Sequence, residues 1–349
     1  MTAAPVSGAA ARALAALRDD LSDPSLAVDS LMVVHGDDVV LEHWAEGCPP
    51  AAPHAVYSVT KTVTAIAAGI AVDEGLLDID APVRDVLGDL GAAIDARITV
   101  RHLLTMSSGR AAGDVRLSSL TSAEAVTAFV DLPELSAPGE VFAYCSLSSH
   151  LLGLAVARAQ GSRLLPLLDE RVFAPLGIAT PAWETDRDGH QVGGSGLYLT
   201  TEDIARLGVL LRDRGSWRGR RIFSERWHEQ ATAAQIATDL PEEHRPEWAQ
   251  GYGFQMWRGL HDVYRADGML GQFAVIAPDV DLVVVTTARS AHTDRILAAI
   301  ADRLLSPRVD IGVDRAVISV DTLGRTNEQS IAHLMATMPS TEARARRSL

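Results

Sequence analysis

Two side chains three positions apart, Ser58 and Lys61, have the types and spacing of a nucleophile and its base. Apolar residues recur at helical spacing from Val59, so both side chains are expected on one face of a helix, one turn apart. A serine hydroxyl becomes nucleophilic when a base removes its proton, and a desolvated lysine amine can be that base. The helix N-terminus would stabilise negative charge that develops near Ser58. The spacing predicts an activated serine, although it also recurs on many solvated helices.

Lys61 is the only lysine among the 31 lysine and arginine residues of the chain. Arginine keeps its proton at any accessible pH, whereas burial or a nearby charge can make a lysine amine neutral and able to accept a proton. A compositional bias against lysine would also leave a single one by chance. The position of Lys61, one helical turn after a serine, favours a role in proton transfer.

The first part of the chain predicts a hairpin followed by this helix. Apolar, β-branched runs at 31–35 and 39–43 flank Gly36-Asp37-Asp38, which predicts a β-hairpin with a three-residue turn. The helix after Ser58 is predicted to end near Gly75 and to be buried on at least one face.

The second half of the chain returns to strands. Thr200 and Asp203 have the spacing of a capping box, which predicts a helix over 201–213. The run from Leu282 to Val285 is apolar enough for a central strand. Strands are predicted at 252–257, 262–266, 272–277 and 281–287, and a final helix at 292–305.

The order of these elements predicts an α/β (α+β) fold in which helices flank an antiparallel sheet. We expect one catalytic domain over 1–305, with an α/β lobe built from about 1–80 and 186–305. The proline-punctuated segment 81–185 is predicted to form a mostly helical lobe inserted between those parts. The cleft between two lobes is where sites usually form. Residues 306–349 are expected to be a C-terminal appendage, for which no role is inferred.

Composition and charge exclude several classes of function. A formal charge of −14 and a pI near 5.2 oppose binding to nucleic acid or anionic lipid. No run approaches the ~18 apolar residues of a membrane span, and no basic segment precedes the first apolar stretch, so a cytoplasmic protein is expected. Cys48 and Cys145 lack the spacing of a disulfide framework or zinc site, and both are expected to be free thiols. No cofactor or metal is predicted.

Five segments in order resemble the β-lactamase-like serine hydrolases. This family includes DD-peptidases, class C β-lactamases, family VIII esterases and nylon-oligomer hydrolases. Ser58-Val59-Thr60-Lys61 is similar to its SxxK box, and the resemblance extends over roughly 30–305. The other segments are ITVRHLLTMSSG (98–109), PGEVFAYCSLSSHLLG (138–153), GGSGLYLTTEDIARLG (193–208) and DGMLGQFAVIAPDVDLVVV (267–285). The resemblance implies a β-lactamase/transpeptidase-like fold.

The resemblance also implies roles for individual residues. Ser58 is similar to the acylated nucleophile, Lys61 to the partner amine, and Tyr144 to the tyrosine that carries a proton between nucleophile and leaving group. A phenol needs a perturbed pKa for this role, and the Lys61 ammonium is expected to lower it. The alternative for Tyr144 is an anchor for the turn after Pro138. Ser146 holds the polar third position of the Tyr-x-Ser triplet, where its hydroxyl could bond Lys61 or substrate.

The third box of the family departs from its usual pattern. Where DD-peptidases and β-lactamases have Lys or His, then Thr or Ser, then Gly, this chain has Ala266-Asp267-Gly268. The resemblance implies that the amides of Ser58 and of Met269, after Gly268, bind the oxyanion. Ala266 and Asp267 cannot engage a substrate carboxylate, which favours the esterase and nylon-oligomer branches. Asp267 either faces the cleft and attracts a cationic substrate end or is a solvated turn residue.

These observations predict a serine hydrolase that cleaves a small ester or amide through an acyl-enzyme on Ser58. The alternatives are a β-lactamase or DD-peptidase, an acyltransferase, and a catalytically silent binding module. Other motifs are less specific. Gly193-Gly194-Ser195-Gly196 lacks the spacing of a nucleophile elbow and is predicted to be a loop, His228 lacks the second histidine of a zinc protease motif, and His102 is interpreted as a structural histidine.

Overall fold

A computed structural model describes residues 8–113, 115–239 and 246–306 of the chain. The strands are β1 Val28–His35, β2 Asp38–Trp44, β3 His54–Ala55, β4 Tyr198–Leu199, β5 Ser216–Trp217, β6 Arg220–Arg221, β7 Trp257–Arg258, β8 Tyr264–Gly268, β9 Gln272–Ala277 and β10 Leu282–Ala288. The helices are α1 Gly8–Leu21, α2 Val59–Asp73, α3 Val83–Leu87, α4 Val100–Leu104, α5 Ser122–Val130, α6 Ser146–Gln160, α7 Leu164–Leu168, α8 Ala174–Leu176, α9 Thr201–Arg212, α10 Glu225–Thr232 and α11 Thr293–Ile300.

The main sheet has six strands in the order β2-β1-β10-β9-β8-β7, and every neighbouring pair is antiparallel. All seven residues of β10 are buried. This burial on both faces explains the continuous apolar run from Leu282 to Val285. The predicted antiparallel sheet and the central position of this strand are both confirmed.

Helices cover both faces of the sheet. Along β1, Leu31 and Val33 pack into one apolar cluster with α1 and α11, whereas Met32 and Val34 join a second cluster. This second cluster contains α2, α6 and α9. The alternation follows from the two-residue period of a strand. The larger cluster contains the helices that carry or adjoin the predicted catalytic residues.

Three predicted elements differ from the structure. The strand predicted at 262–266 is β8, which begins two residues later at Tyr264 and extends to Gly268. His35 pairs with Asp38, so the hairpin turn has two residues rather than three, and a bulge between Val33 and Val34 restores the pairing of β1 and β2. The predicted strand at 252–257 is wrong except at Trp257, where β7 begins. Positive φ angles at Gly251 and Gln255 turn the chain there, and the Gln255 amide bonds the Leu104 carbonyl instead of a neighbouring strand.

The predicted helices are present with small changes at their ends. The helix after Ser58 is α2, which ends before Gly75 and is buried around almost its whole circumference. Thr200 and Asp203 form the predicted capping box of α9. α11 continues as a π turn through 301–305. In the described ranges no helix is both long and apolar enough to cross a membrane, and the predicted appendage lies outside them apart from Ser306.

Gly208 sets how closely α9 approaches the sheet, since a Cβ atom there would lie 2.5 Å from Cγ1 of Val283 in β10. We expect Gly208→Ala to lower the free energy of unfolding, because overpacking costs about 1–3 kcal/mol and outweighs the gain of about 1 kcal/mol in helix propensity. Urea denaturation measures the change. Val283→Ala removes the opposing methyl group, so the double variant should lose less stability than the two single changes added together. Simple additivity would contradict this packing.

Candidate active site

Ser58 lies at the point where the chain turns into α2. Tyr57, directly before it, has a φ of 47°, a left-handed conformation that is costly for a tyrosine. The turn is closed by hydrogen bonds from the Val59 amide to the Val56 carbonyl and from the Lys61 amide to the Ser58 carbonyl. Ser58 itself has helical backbone angles and a partly exposed side chain. The turn thus presents the hydroxyl at the exposed end of a buried helix.

Lys61 is 1% exposed, and its Nζ atom contacts three polar atoms from three parts of the chain. It lies 3.0 Å from Ser58 Oγ, 3.2 Å from Ser146 Oγ and 2.7 Å from the Gly194 carbonyl oxygen. The carbonyl can only accept a hydrogen bond, whereas either hydroxyl can donate or accept. The three contacts therefore suit an ammonium group, and they also suit a neutral amine that accepts the Ser58 proton. The predicted contact of Ser146 with Lys61 is present.

Tyr144 lies in the segment that leads into α6 and completes this group. Its ring centroid is 4.9 Å from Lys61 Nζ, and the Ser58 hydroxyl interacts with its hydroxyl. Burial raises the pKa of Tyr144 above its ordinary value, the hydrogen bond with Ser58 acts in the opposite direction, and the Asp267 carboxylate adds to the rise. The expectation that Lys61 lowers this pKa is therefore wrong, because desolvation of the phenolate dominates. The phenol is neutral at physiological pH.

Three further aromatic rings surround Tyr144, and no sequence motif indicated them. Trp257 stacks on Tyr144 at a centroid distance of 5.7 Å, and Tyr252 meets it edge-on at 6.2 Å. Phe142 contacts all three rings at 5.1 to 6.4 Å. These rings come from segments more than 100 positions apart, so no local spacing could reveal the cluster. They fix the phenol and supply the apolar surroundings that keep it protonated.

The third box lies directly beside the nucleophile turn. A Cβ atom at Gly268 would be 2.4 Å from the Val56 carbonyl oxygen, so only glycine permits this approach of β8. Met269 follows with its side chain 61% exposed. Among the described residues, no turn or loop hydrogen bond to a backbone carbonyl uses the amide of Ser58 or of Met269. This is compatible with both amides binding an external oxygen atom.

Asp267 is neither a free anion nor a solvated turn residue. Its Oδ2 atom accepts hydrogen bonds from Arg265 Nε at 3.0 Å and Trp248 Nε1 at 2.9 Å. Burial raises the pKa of Asp267, and the Arg265 guanidinium opposes this rise. Arg265 is fully buried, on the opposite side of β8 from the core-facing Ala266, which follows from the two-residue period of a strand. The expected attraction for a cationic substrate end is therefore weakened by a paired charge.

The other sequence motifs, to which no catalytic role was assigned, also have defined places in the structure. His102 Nδ1 accepts a hydrogen bond from the Thr99 amide and caps α4. The 193–196 segment is a loop, as predicted, but it supplies the Gly194 carbonyl to Lys61, a contact that the sequence did not indicate. Cys48 and Cys145 are free thiols. Within the described ranges, no group of three histidine, cysteine or acidic side chains could hold a metal ion.

We expect Tyr144→Phe to leave the near-ultraviolet phenolate absorbance of the folded protein unchanged at about pH 10, since the raised pKa keeps this phenol protonated there. The Tyr144 phenol binds its proton more tightly in the folded protein than in the unfolded chain. The protonated phenol therefore contributes to stability below about pH 10, and this contribution is lost as pH rises through the folded pKa. The same titration in denaturant is the control, where the variant should lose the absorbance of one of five tyrosines. Loss of one phenolate from the folded protein at that pH would contradict the raised pKa.

A family model described as Beta-lactamase matches residues 11–306 of the chain. The 6-aminohexanoate-dimer hydrolase of Paenarthrobacter ureafaciens is 26% identical over 224 residues, which cover 59% of this chain and 57% of that protein. The acyltransferase calJ of Penicillium decumbens is 27% identical over 270 residues, covering 60% of this chain and 60% of that protein. The chain therefore spans less than two thirds of the length of these curated relatives.

The fold is also that of solved structures. EstCE1, described as a hydrolase with promiscuous acyltransferase activity, matches with a TM-score of 0.68 at 16% identity, over 85% of this chain and 98% of that one. A likeness at this identity concerns the fold, which is β-lactamase/transpeptidase-like. The family model extends over most of the chain and includes the turn at Ser58, the α6 segment and the third box. The chain therefore belongs to the beta-lactamase family.

Proposed function

We propose that this protein is a serine hydrolase that cleaves a small ester or amide through an acyl-enzyme on Ser58. The observation that carries this proposal is the position of the only lysine, buried and with Nζ 3.0 Å from the Ser58 hydroxyl. Nucleophilic catalysis requires such a base within hydrogen-bond reach of the nucleophile. We expect a small-molecule substrate and a cytoplasmic location.

In the acylation step, the Ser58 oxygen attacks the substrate carbonyl carbon while its proton passes to the Lys61 amine. The amides of Ser58 and Met269 donate hydrogen bonds to the oxyanion that forms. Tyr144, neutral because of its raised pKa, donates its proton to the departing alcohol or amine and regains one from the Lys61 ammonium. The carbon–oxygen or carbon–nitrogen bond of the substrate breaks, and the acyl group stays on Ser58. Water then attacks the acyl-enzyme, and the proton transfers run in reverse.

Several considerations separate this proposal from its alternatives. The 6-aminohexanoate-dimer hydrolase supports a linear amide substrate. Acyl transfer to a bound acceptor uses the same intermediate, and two relatives carry that activity in their names. A silent binding module would not need a buried lysine at the nucleophile. A β-lactamase or DD-peptidase would need a cation for the substrate carboxylate, and Ala266 cannot supply one.

We expect a fluorophosphonate to label Ser58 and Ser58→Ala to lose both labelling and ester turnover. Lys61→Arg should fold but label far more slowly, because arginine keeps the positive charge and cannot accept the serine proton. Peptide mass spectrometry locates the adduct, and labelling against time measures the rate.

Ser195→Ala is the matched control for this experiment, since Ser195 lies in the neighbouring glycine-rich loop and should be dispensable for labelling. An adduct on Ser195, or full turnover by Ser58→Ala, would overturn the mechanism. Parental turnover by Lys61→Arg with an unchanged pH profile would reduce Lys61 to a fixed cation.

We expect the parent protein to have a higher kcat/KM for p-nitrophenyl butyrate and for a linear amino-terminated amide than for nitrocefin. Desolvation of the nitrocefin carboxylate beside Asp267 would lack a compensating charge-assisted hydrogen bond. Ala266→His adds a potential cation and Asp267→Asn removes the negative charge, so both should raise the relative kcat/KM for nitrocefin. A higher kcat/KM of the parent protein for nitrocefin would contradict this prediction and would favour a β-lactamase activity.

A further inference from the structure

The side chains of His150 and Asp186 form a completely buried pair that the proposed mechanism does not use. His150 Nε2 lies 3.4 Å from Asp186 Oδ2, and neither side chain is exposed. The contact is an ion-pair distance and not an aligned hydrogen bond. Asp186 accepts hydrogen bonds from the Ser122 hydroxyl at 2.7 Å and from the amides of Asp188 and His190. Burial alone would raise the pKa of Asp186, but His150, the Ser122 hydroxyl and the His190 amide together lower it. The carboxylate is therefore a fixed, ionised group inside the molecule.

The other ring nitrogen of His150 faces the glycine-rich loop. Nδ1 accepts a hydrogen bond from the Gly193 amide at 3.4 Å. Nδ1 can accept only when the ring proton is on Nε2, and the Asp186 carboxylate lies 3.4 Å from Nε2, where its negative charge favours an N–H at that position. Asp186 therefore selects the tautomer that lets His150 hold the Gly193 amide.

The loop that His150 holds fits tightly between two helices. A Cβ atom at Gly193 would lie 2.4 Å from the Ser149 carbonyl oxygen of α6, and one at Gly194 would lie 2.9 Å from that of Ser146. From α2, the Thr64 hydroxyl donates to the Gly193 carbonyl at 2.8 Å. The next carbonyl, that of Gly194, accepts the 2.7 Å hydrogen bond from Lys61. Movement of the Gly193 amide would thus carry the Lys61 acceptor with it.

We propose that His150 and Asp186 are a positioning pair for Lys61, acting through Gly193 and Gly194. Asp186 orients the imidazole, the imidazole fixes the Gly193 amide, and the Gly194 carbonyl then directs the Lys61 amine at Ser58. Neither residue touches the substrate. The inference rests on the proposed function, because it assigns these residues to the base of that reaction. A displacement of about 1 Å in such a group costs about 10²-fold in rate.

Two substitutions at His150 test the inference, because each places a polar group near a different one of the two ring nitrogen positions. His150→Asn keeps an oxygen near the Nδ1 position and can still accept from the Gly193 amide, whereas His150→Gln reaches only the Nε2 position near Asp186. We expect His150→Gln to lower kcat for p-nitrophenyl butyrate by about 10- to 100-fold with little change in KM. His150→Asn should retain much more of the parental kcat. Fluorophosphonate labelling rates should follow kcat, since acylation depends on Lys61.

Thermal denaturation of both variants separates catalysis from folding, since each removes a buried ring and should lower stability similarly. His228→Gln, at a buried histidine that bonds Tyr264 outside the site, is the matched control and should keep the parental kcat. Thr64→Val loosens the same loop from α2 and should also lower kcat without raising KM.

Equal kcat values for His150→Gln and His150→Asn, or parental labelling rates in His150→Gln and Thr64→Val, would overturn the positioning role. Failure of the proposed function is a separate result, since the parent protein itself would then not be labelled at Ser58. Should both His150 variants fail to fold, Thr64→Val alone decides the inference through its labelling rate.

Discussion

The site depends on one interaction, the burial of the Lys61 amine among acceptors from three parts of the chain. Ser58 belongs to the start of α2, Ser146 to the start of α6, and Gly194 to the loop before α9. A buried ammonium or amine without hydrogen bonds would cost several kcal/mol, so these elements are held together by the need to satisfy it. The packing of α2 against α6 and the loop is therefore both a structural and a chemical constraint.

Close backbone approaches follow from this arrangement. Gly193 and Gly194 lie against carbonyls of α6, and Gly268 lies against the carbonyl of Val56. At each position a Cβ atom would meet backbone oxygen at less than 3.0 Å, so the neighbour could not yield as a flexible side chain would. Glycine at these three positions is thus what allows the backbone segments around Ser58 to approach each other so closely. Such fixed geometry is what an oxyanion site and a directed base require.

The sequence revealed the parts of this site that depend on local spacing. Ser58 and Lys61 are one helical turn apart, and the capping box at Thr200 needs only residues close along the chain. The chain also carried enough family segments to indicate the fold. The Gly194 carbonyl, the rings around Tyr144 and the His150–Asp186 pair depend on contacts between distant segments, so no local pattern indicated them. The pKa of Tyr144 was predicted in the wrong direction because its burial could not be judged from one neighbouring charge.

The third box of this chain, Ala266-Asp267-Gly268, places different charges near Ser58 from those of the usual family pattern. Ala266 packs into the core and supplies no cation at the first position of the third box, and Asp267 is bound to the buried Arg265 and to Trp248. The Arg265 guanidinium neutralises the charge of the Asp267 carboxylate and so offsets the cost of burying it. Because this positive charge is paired, it does not attract an anion into the site. The Asp267 carboxylate also raises the pKa of Tyr144. An acid at position 267, where the family's third box has a hydroxyl, therefore changes both the charge next to the site and the pKa of Tyr144.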